Sequence, residues 1–360
     1  MIVSGTVFRR RLSAILALLE KEGIDFLFLR NTDIPDPMLK YLGCQTDGIS
    51  VLIGREEKII FTSKMQYASV LAEKERGAGI IANADIFTAH GKLKAIVKGK
   101  KIGVNGRFLT FDNVPRAAKK VIDLSAQLLL IRSVKGPEEI KAISRACTIT
   151  KKILEGVELL IFSGYSEKEL ANVIVSRTFE LGYEPAFKPI VATIGNSCYP
   201  HAIPGNKQIT KMCLIDYGVK VDGYCSDISR CFFDACSSSF VTKMKKLYEY
   251  AKSTFSECMS IIEERAPPHT LADFYINACS RAGVEAIHSV GHGVGLEVHE
   301  YPFIKNAKAL RLKQKNDYAN TSLAGTCVAI EPAFYFMQDR YGVRFEETVY
   351  ISKDFKAKVL

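Results

Sequence analysis

Tryptophan is absent from this 360-residue sequence, and histidine occurs at only six positions. No run of 18 apolar residues is present, which excludes a helical membrane span. The ten cysteines include no CxxC pair and lie scattered through apolar stretches. That pattern excludes a disulfide-stapled small domain and reads as buried thiols in a reducing, cytoplasmic setting. Tandem repeats and low-complexity tracts are missing as well. The start, RRRLSAILALLEKEG, is basic then apolar, but Glu20, Lys21 and Glu22 follow where a signal peptide needs small residues for cleavage. Leu12, Ile15, Leu16 and Leu19 share a helical stripe that ends at Gly23, so a surface helix of the mature protein is expected.

What is present fits a soluble globular chain: 48% hydrophobic and 24% charged residues, over a length that favours two domains. The net charge of +10 is uneven, +8 over residues 1–133 and +2 over the remainder. The lysines of the first part are scattered, without an aromatic-interleaved basic motif. They read as solvated surface, and nucleic acid is not an expected partner.

The first part alternates helix 8–22, strand 24–29, paired strands near 49–53 and 58–62, helix 64–75, and strands near 80 and 102. In IRSVKGPEEI, Gly136-Pro137 stops one element, and Pro137 with two glutamates opens the next. The boundary is therefore set at domains 1–133 and 134–360. Helices follow near 138–155, at 167–181 with Ser166 and Glu169 spaced as a capping box, near 240–264 and near 270–282. Helices interspersed with hairpins indicate an α+β second domain.

Two hairpins carry paired acids. In CLIDYGVKVDGYCSDISRCFF, residues 213–233, Asp222-Gly223 suits a type I′ turn. Paired positions then sum to 445, setting Asp216 opposite Ser229 and Asp227 on the same face as Asp216. In VAIEPAFYFMQDRYGVRFEETVYI, a turn centred on Gln338-Asp339 makes pairs sum to 677, so Glu331 faces Glu346. Carboxylates buried side by side are strongly unfavourable without positive charge. Arg230 and Arg344 could each pair with one acid. Two divalent cations would neutralise the whole group, of about −4. His292, flanked by glycines in HSVGHGVGLEVHE (288–300), would complete a mainly oxygen ligand set suited to Mn, Co or Fe, and also to Zn. The glycines would let the backbone pass close to the metals and let substrate approach. His299 is then left for proton or oxyanion work, while His288, His90 and His269 read as satisfied core groups.

These pieces, PHA at 200–202, LIDYGVKVDGYCSDISR at 214–230, HSVGHGVGLEVHE, IEP at 330–332 and GVRFEE at 342–347, resemble the pita-bread metallopeptidases in both content and order. That family includes Xaa-Pro aminopeptidases, Xaa-Pro dipeptidases (prolidases) and methionine aminopeptidases. The first domain resembles the smaller creatinase-type α/β N-terminal domain of the Xaa-Pro branch. The resemblance implies metal ligands at Asp216, Asp227, His292, Glu331 and Glu346, with Asp227 and Glu346 bridging two ions, Mn or Co first and Zn or Fe as alternatives. It implies that a metal-bridging hydroxide attacks the scissile carbonyl, with Glu331 passing the proton to the leaving nitrogen. His201 and His299 match histidines that bind substrate and stabilise the tetrahedral intermediate. Proline-containing peptides as partners, and a homodimer, follow by the same kinship.

Three departures from the family pattern stand out. The usual EPG is Glu331-Pro332-Ala333, the tryptophan that walls the pocket in some aminopeptidases is missing, and HEYPF places Phe303 where dipeptide-specialised relatives often carry a carboxylate-binding arginine. Phe303, together with Arg344 nearby in the motif, is assigned to substrate binding. The leading expectation is an Xaa-Pro aminopeptidase. The alternatives are a prolidase and, in another class, a non-catalytic peptide-binding pita-bread protein.

Overall fold

The computed structural model describes residues 3–31, 35–77, 79–88, 91–235, 238–306, 308 and 322–360. Its chain forms two compact units, Met1–Arg132 and Ser133–Leu360. His90 and Cys236 lie outside the described residues.

The first unit centres on strand β1 (Phe26–Arg30), in which Phe26, Leu27, Phe28 and Leu29 are all buried. It pairs antiparallel with β2 (Ser50–Ile53) and parallel with β5 (Lys101–Val104). With β3 (Lys58–Phe61), β4 (Asp85–Phe87) and β6 (Lys120–Asp123) it makes a mixed sheet ordered β4-β3-β2-β1-β5-β6. Around it run α1 (Gly5–Glu22), α2 (Pro37–Tyr41), α3 (Tyr67–Glu75), α4 (Gly79–Ala82), α5 (Gly91–Val97) and α6 (Ser125–Ser133).

Helix α1 is capped by the Ser4 side chain and stops at Gly23 in the left-handed region, φ 61°. Its buried face is Phe8, Arg11, Ile15 and Leu19. The stripe expected over Leu12 and Leu16 is thus rotated toward Arg11. That guanidinium donates to the Tyr41 carbonyl at 2.6 Å and lies 4.3 Å from the centre of the Tyr41 ring. The strand expected near residue 80 is instead helix α4, and β4 follows it at residue 85. A four-residue apolar run has no period that separates helix from strand.

In the second unit Pro137 opens α7 (Pro137–Val157), and the Glu139 carboxylate accepts from the Gly136 N–H at 2.9 Å. The capping box of Ser166 and Glu169 opens α8 (Glu167–Glu180). Helices α9 (Ser239–Glu263) and α10 (Pro268–Arg281) bury Met244, Tyr248, Phe255, Leu271 and Tyr275. The same core holds Leu214, Val328, Phe334 and Val343 of the strands. Each such side chain contributes on the order of 1.5–3 kcal/mol by leaving water.

The strands are β7 (Glu184–Pro185), β8 (Ile190–Thr193), β9 (Met212–Tyr217), β10 (Val219–Val221), β11 (Tyr224–Cys225), β12 (Ile228–Phe233), β13 (Gly291–Gly293), β14 (Glu300–Phe303), β15 (Cys327–Ile330), β16 (Ala333–Phe336), β17 (Tyr341–Arg344), β18 (Glu347–Ile351) and β19 (Ala357–Val359). They form sheets ordered β11-β10-β7, β12-β9-β8, β14-β13-β15-β18-β19 and β16-β17.

Both expected registers are present. Ser229 faces Asp216 across β12 and β9, and Tyr224 faces Val221 across β11 and β10. Ala333 faces Arg344, and Ile330 faces Glu347. Each hairpin nevertheless changes sheet partway along without losing register, and the acids cluster at those changes. Asp227 lies between β11 and β12, Glu331 between β15 and β16, and Glu346 between β17 and β18, while Asp216 is the penultimate residue of β9.

Candidate metal centre and active site

At the interruptions the backbone leaves its own ladder and bonds to the neighbouring hairpin. The Glu346 N–H donates to the Ser229 carbonyl at 3.3 Å, the Asp227 N–H to Thr348 Oγ1 at 3.1 Å, and the Glu331 N–H to the Val290 carbonyl at 2.8 Å. These bonds draw the two hairpins and β13 together, so their acids converge on one point. Oxygen and nitrogen atoms of Asp216, Asp227 and Glu346, of His292, Glu331 and Glu346, and of Asp227, His292 and His299 form three overlapping groups, the atoms of each lying within 4.8 Å of one another.

His292 sits in the middle strand β13, between β14 and β15. A Cβ at position 291 would collide with the Ala329 carbonyl oxygen, and one at 293 with the Tyr301 carbonyl. The tight approach of the neighbouring strands therefore requires both flanking glycines, a reason the sequence reading did not give. The His292 Nδ1–H donates to the Gly293 carbonyl at 3.2 Å, which turns the bare Nε2 toward the acids. Nε2 stands 3.6 Å from Asp227 Oδ2 and 3.7 Å from Glu331 Oε1. Those gaps are too long for hydrogen bonds and match two ligand atoms sharing a cation at about 2.0–2.2 Å each.

The polar inventory fits a metal in the same way. Asp216 Oδ1 and Asp227 Oδ1 are buried without a hydrogen-bond partner, although a buried carboxylate oxygen ordinarily has one. Burial first, then the neighbouring Glu346 and Asp216 charges, drives the Asp227 carboxyl well above its usual range. Burial and Glu346 do the same to Glu331. Burial and Asp216 push Glu346 up to about 8 against the opposing pull of Arg344. Burial lowers His292 to about 3, so it is neutral at physiological pH and available as a ligand.

One internal cation partly offsets the acids. Arg344 is almost fully buried, and its Nη2 donates to Asp216 Oδ2 at 2.6 Å. Its Nε donates to Ser229 Oγ at 2.8 Å, while Nη1 donates to the Tyr335 hydroxyl at 2.7 Å and the Pro200 carbonyl at 3.2 Å. The Ser229 hydroxyl donates in turn to Glu346 Oε2 at 2.6 Å. Arg344, assigned to substrate from the sequence, lines the cavity and also orients Asp216, with four of its guanidinium hydrogen bonds going to framework groups. Arg230 pairs with Glu347 rather than with any of the four clustered acids.

The cluster lies in a cavity of about 650 Å³, whose lining includes His201, His288, His299 and Phe303. The His299 and His292 rings lie 4.2 Å apart, and burial followed by the nearby His201 lowers the His299 pKa. The neighbouring Glu300 is held by a buried ion pair, Lys135 Nζ to Oε1 at 2.6 Å. His288, read from sequence as a satisfied core group, also lines this cavity. Its Nδ1–H donates to the Ser289 carbonyl at 2.6 Å, and its Nε2 is buried without a partner. The crowding of three histidines within twelve positions was the available signal for it. His269 is half-buried at the start of α10 and outside the cavity lining. The sequence reading also gave no site role to Ser229, which bonds both Glu346 and Arg344, or to Tyr335, which accepts from Arg344. The nine described cysteines are all buried and none is in a disulfide.

Acids paired on interrupted hairpins, a neutral histidine and an open cleft together define a hydrolytic metal-site architecture. The chain belongs to Metallopeptidase family M24, whose pattern matches residues 141–353. It is 26% identical over 371 residues to an Xaa-Pro dipeptidase of Pyrococcus furiosus, covering 96% of each chain. It is 28% identical over 287 residues to a Mycoplasma genitalium protein provisionally named an Xaa-Pro aminopeptidase, covering 76% of this chain and 77% of the relative. The crystal structure of the prolidase from Pyrococcus horikoshii OT3 superposes with a TM-score of 0.80 at 25% identity, over 97% of both chains. The fold is thus the pita-bread fold of this peptidase family.

Proposed function

We propose that this protein is a dinuclear-metal Xaa-Pro aminopeptidase, releasing an N-terminal residue that precedes proline. Asp216, Asp227, His292, Glu331 and Glu346 would hold the two divalent ions, Mn or Co first. Bound there, the ions would neutralise the acids, polarise the scissile carbonyl and make a water nucleophilic near neutral pH. Glu331 has the most exposed side chain of the four acids, at 16% against 12% for Asp216, 6% for Asp227 and 2% for Glu346. It takes a proton from the attacking water and delivers it to the proline nitrogen as the C–N bond breaks. The water oxygen ends in the carboxylate of the released residue. His299 and His201, each with one N–H when neutral, donate to the carbonyl oxygen as it gains charge. Proline nitrogen has no N–H for a peptidase to read, so recognition falls to the shape of the cleft.

The observation that carries the choice of aminopeptidase is Phe303, which lines the cavity directly across the ladder from His292. A dipeptide would bring its free carboxylate close to that apolar wall, at a cost of several kcal/mol without a cationic partner. A longer peptide has no charge there. The dipeptidase reading draws support from the printed name of the full-length Pyrococcus furiosus relative. After metal reconstitution, kcat/KM for an Xaa-Pro-Yaa peptide should exceed that for the matching Xaa-Pro dipeptide by ~10-fold or more, about 1.4 kcal/mol in transition-state binding. A dipeptide cleaved as well as the longer peptide overturns this choice.

A further inference from the structure

Two lysines line the same cavity, Lys188 and Lys305, and the chemistry above uses neither. We propose that they read the free C-terminal carboxylate of a short Xaa-Pro-Yaa peptide, making tripeptides with an unblocked C-terminus the preferred substrate class. This rests on the peptidase reading and adds to it where the substrate ends.

The first support is the segregation of charge. Among the described residues, the only acids lining the cavity are Asp216, Asp227, Glu331 and Glu346 of the cluster. The chain from residue 134 onward is nearly balanced, 28 basic against 26 acidic residues, so a lining whose acids all sit at one place is not a by-product of composition. A cleft with acids and metal at one place and lysines at another suits a peptide whose carboxylate lies away from the bond being cut.

The second support is register. Ile190 pairs with Asp216, and Phe303 pairs with His292, so both mark the level of the cluster. Lys188 and Lys305 each lie two residues beyond those positions, just past the ends of β8 and β14. At about 3.3 Å per extended residue, that is ~6–7 Å further along. Pro189 keeps residue 188 in an extended backbone. In an extended peptide with its scissile carbonyl at the cluster, the carboxylate of a dipeptide falls ~3.5 Å on and that of a tripeptide ~7 Å on. The first distance ends short of both lysines, beside Ile304 and next to Phe303, and the second reaches their level. Both lysines are exposed, and their stems adjust to a carboxylate arriving from the cleft.

The test compares Ala-Pro-Ala with its C-terminal amide on the metal-reconstituted protein, on Lys188→Met, on Lys305→Met and on the double variant. The proposal expects kcat/KM for the acid to exceed that for the amide by ~10-fold in the unaltered protein, mainly through KM. The ratio should shrink as salt is raised and fall close to one in the double variant. A ratio near one at the outset, or one unchanged by both substitutions, overturns the proposal. Calorimetric binding of the product Pro-Ala, against Pro-Ala-amide, to the metal-free protein gives a second readout. The acid should bind more tightly, and equal affinity overturns the proposal even if no substrate is cleaved. Absence of cleavage of acid and amide alike by the metal-loaded protein would instead remove the peptidase reading, leaving the lysines to be judged by calorimetry.

Discussion

In the first acid-bearing hairpin Asp222 and Gly223 take φ of 52° and 87°, so a two-residue turn sets the register. The second closes through the four residues 337–340, and its register is held by the apolar pairs of β16 and β17 on one side of the interruption and of β15 and β18 on the other. The acids differ as well. Asp227 is sealed, and its backbone N–H and carbonyl are both bonded to the Thr348 hydroxyl, whereas Glu331 is the most open of the four. Equal numbers of carboxylates therefore do not mean equal work. Asp227 is suited to holding charge in place and Glu331 to moving a proton, while Glu346, on the same hairpin as Glu331, is the most buried of the four.

The largest effect should come from removing the sealed Asp227 carboxylate. Asp227→Asn is expected to lose most bound metal and ~10³-fold or more in turnover, read by elemental analysis beside kcat. Full metal content in that variant would end the distinction between Asp227 and Glu331. Glu331→Gln should keep a larger share of the metal yet lose ~10²–10³-fold in kcat with KM little changed, because the missing function is proton transfer. If instead metal content drops as far as in Asp227→Asn, Glu331 acts only as a ligand.

The histidines divide along the same line. His292→Ala should lose metal, while His299→Ala should retain it and lose ~10²-fold in turnover. Equal metal content in the two variants would contradict that division.

The smallest effect is linkage to pH. Glu346 rises to about 8 in the folded, metal-free protein from its ordinary 4.5. Its contribution to stability is therefore complete below about 4.5 and lost as pH rises through about 8. Metal must displace that proton, and the raised Asp227 and Glu331 carboxyls hold theirs as well, so apparent affinity should climb by ~10-fold or more per pH unit toward 8. His292, lowered to about 3, is already neutral across this window; its contribution is lost only as pH falls from 6.5 toward 3. A flat titration of metal affinity between pH 6 and 8 would mean that Glu346 is already ionised without metal.

Much of this arrangement is legible in the sequence because it is local. A turn dipeptide plus strict alternation places Asp216 opposite Ser229, and capping residues mark Pro137 and Ser166 as helix starts. What escapes is set by distant neighbours. Neither hairpin pattern reveals that the ladder breaks at Asp227, Glu331 and Glu346, because the hydrogen bonds that replace it come from Ser229, Thr348 and Val290. The bonds from Arg344 to Tyr335 and the Pro200 carbonyl are likewise hidden from the sequence. His288 reads as core because its single satisfied nitrogen cannot be told apart from its orphaned one without coordinates.

The unbroken register of the interrupted hairpins also bears on how the site assembles. Within each hairpin the two acids are close in sequence, and closing such a short loop takes microseconds. Ser229 and Glu346, by contrast, meet across 117 residues. The acids would then arrive as two preformed pairs, with the full repulsion met only when the hairpins dock. That makes docking the step at which a divalent ion would act, as a folding accelerant as well as a catalyst. Refolding followed with and without metal would place the gain in the slow, long-range phase, leaving the fast, local one untouched.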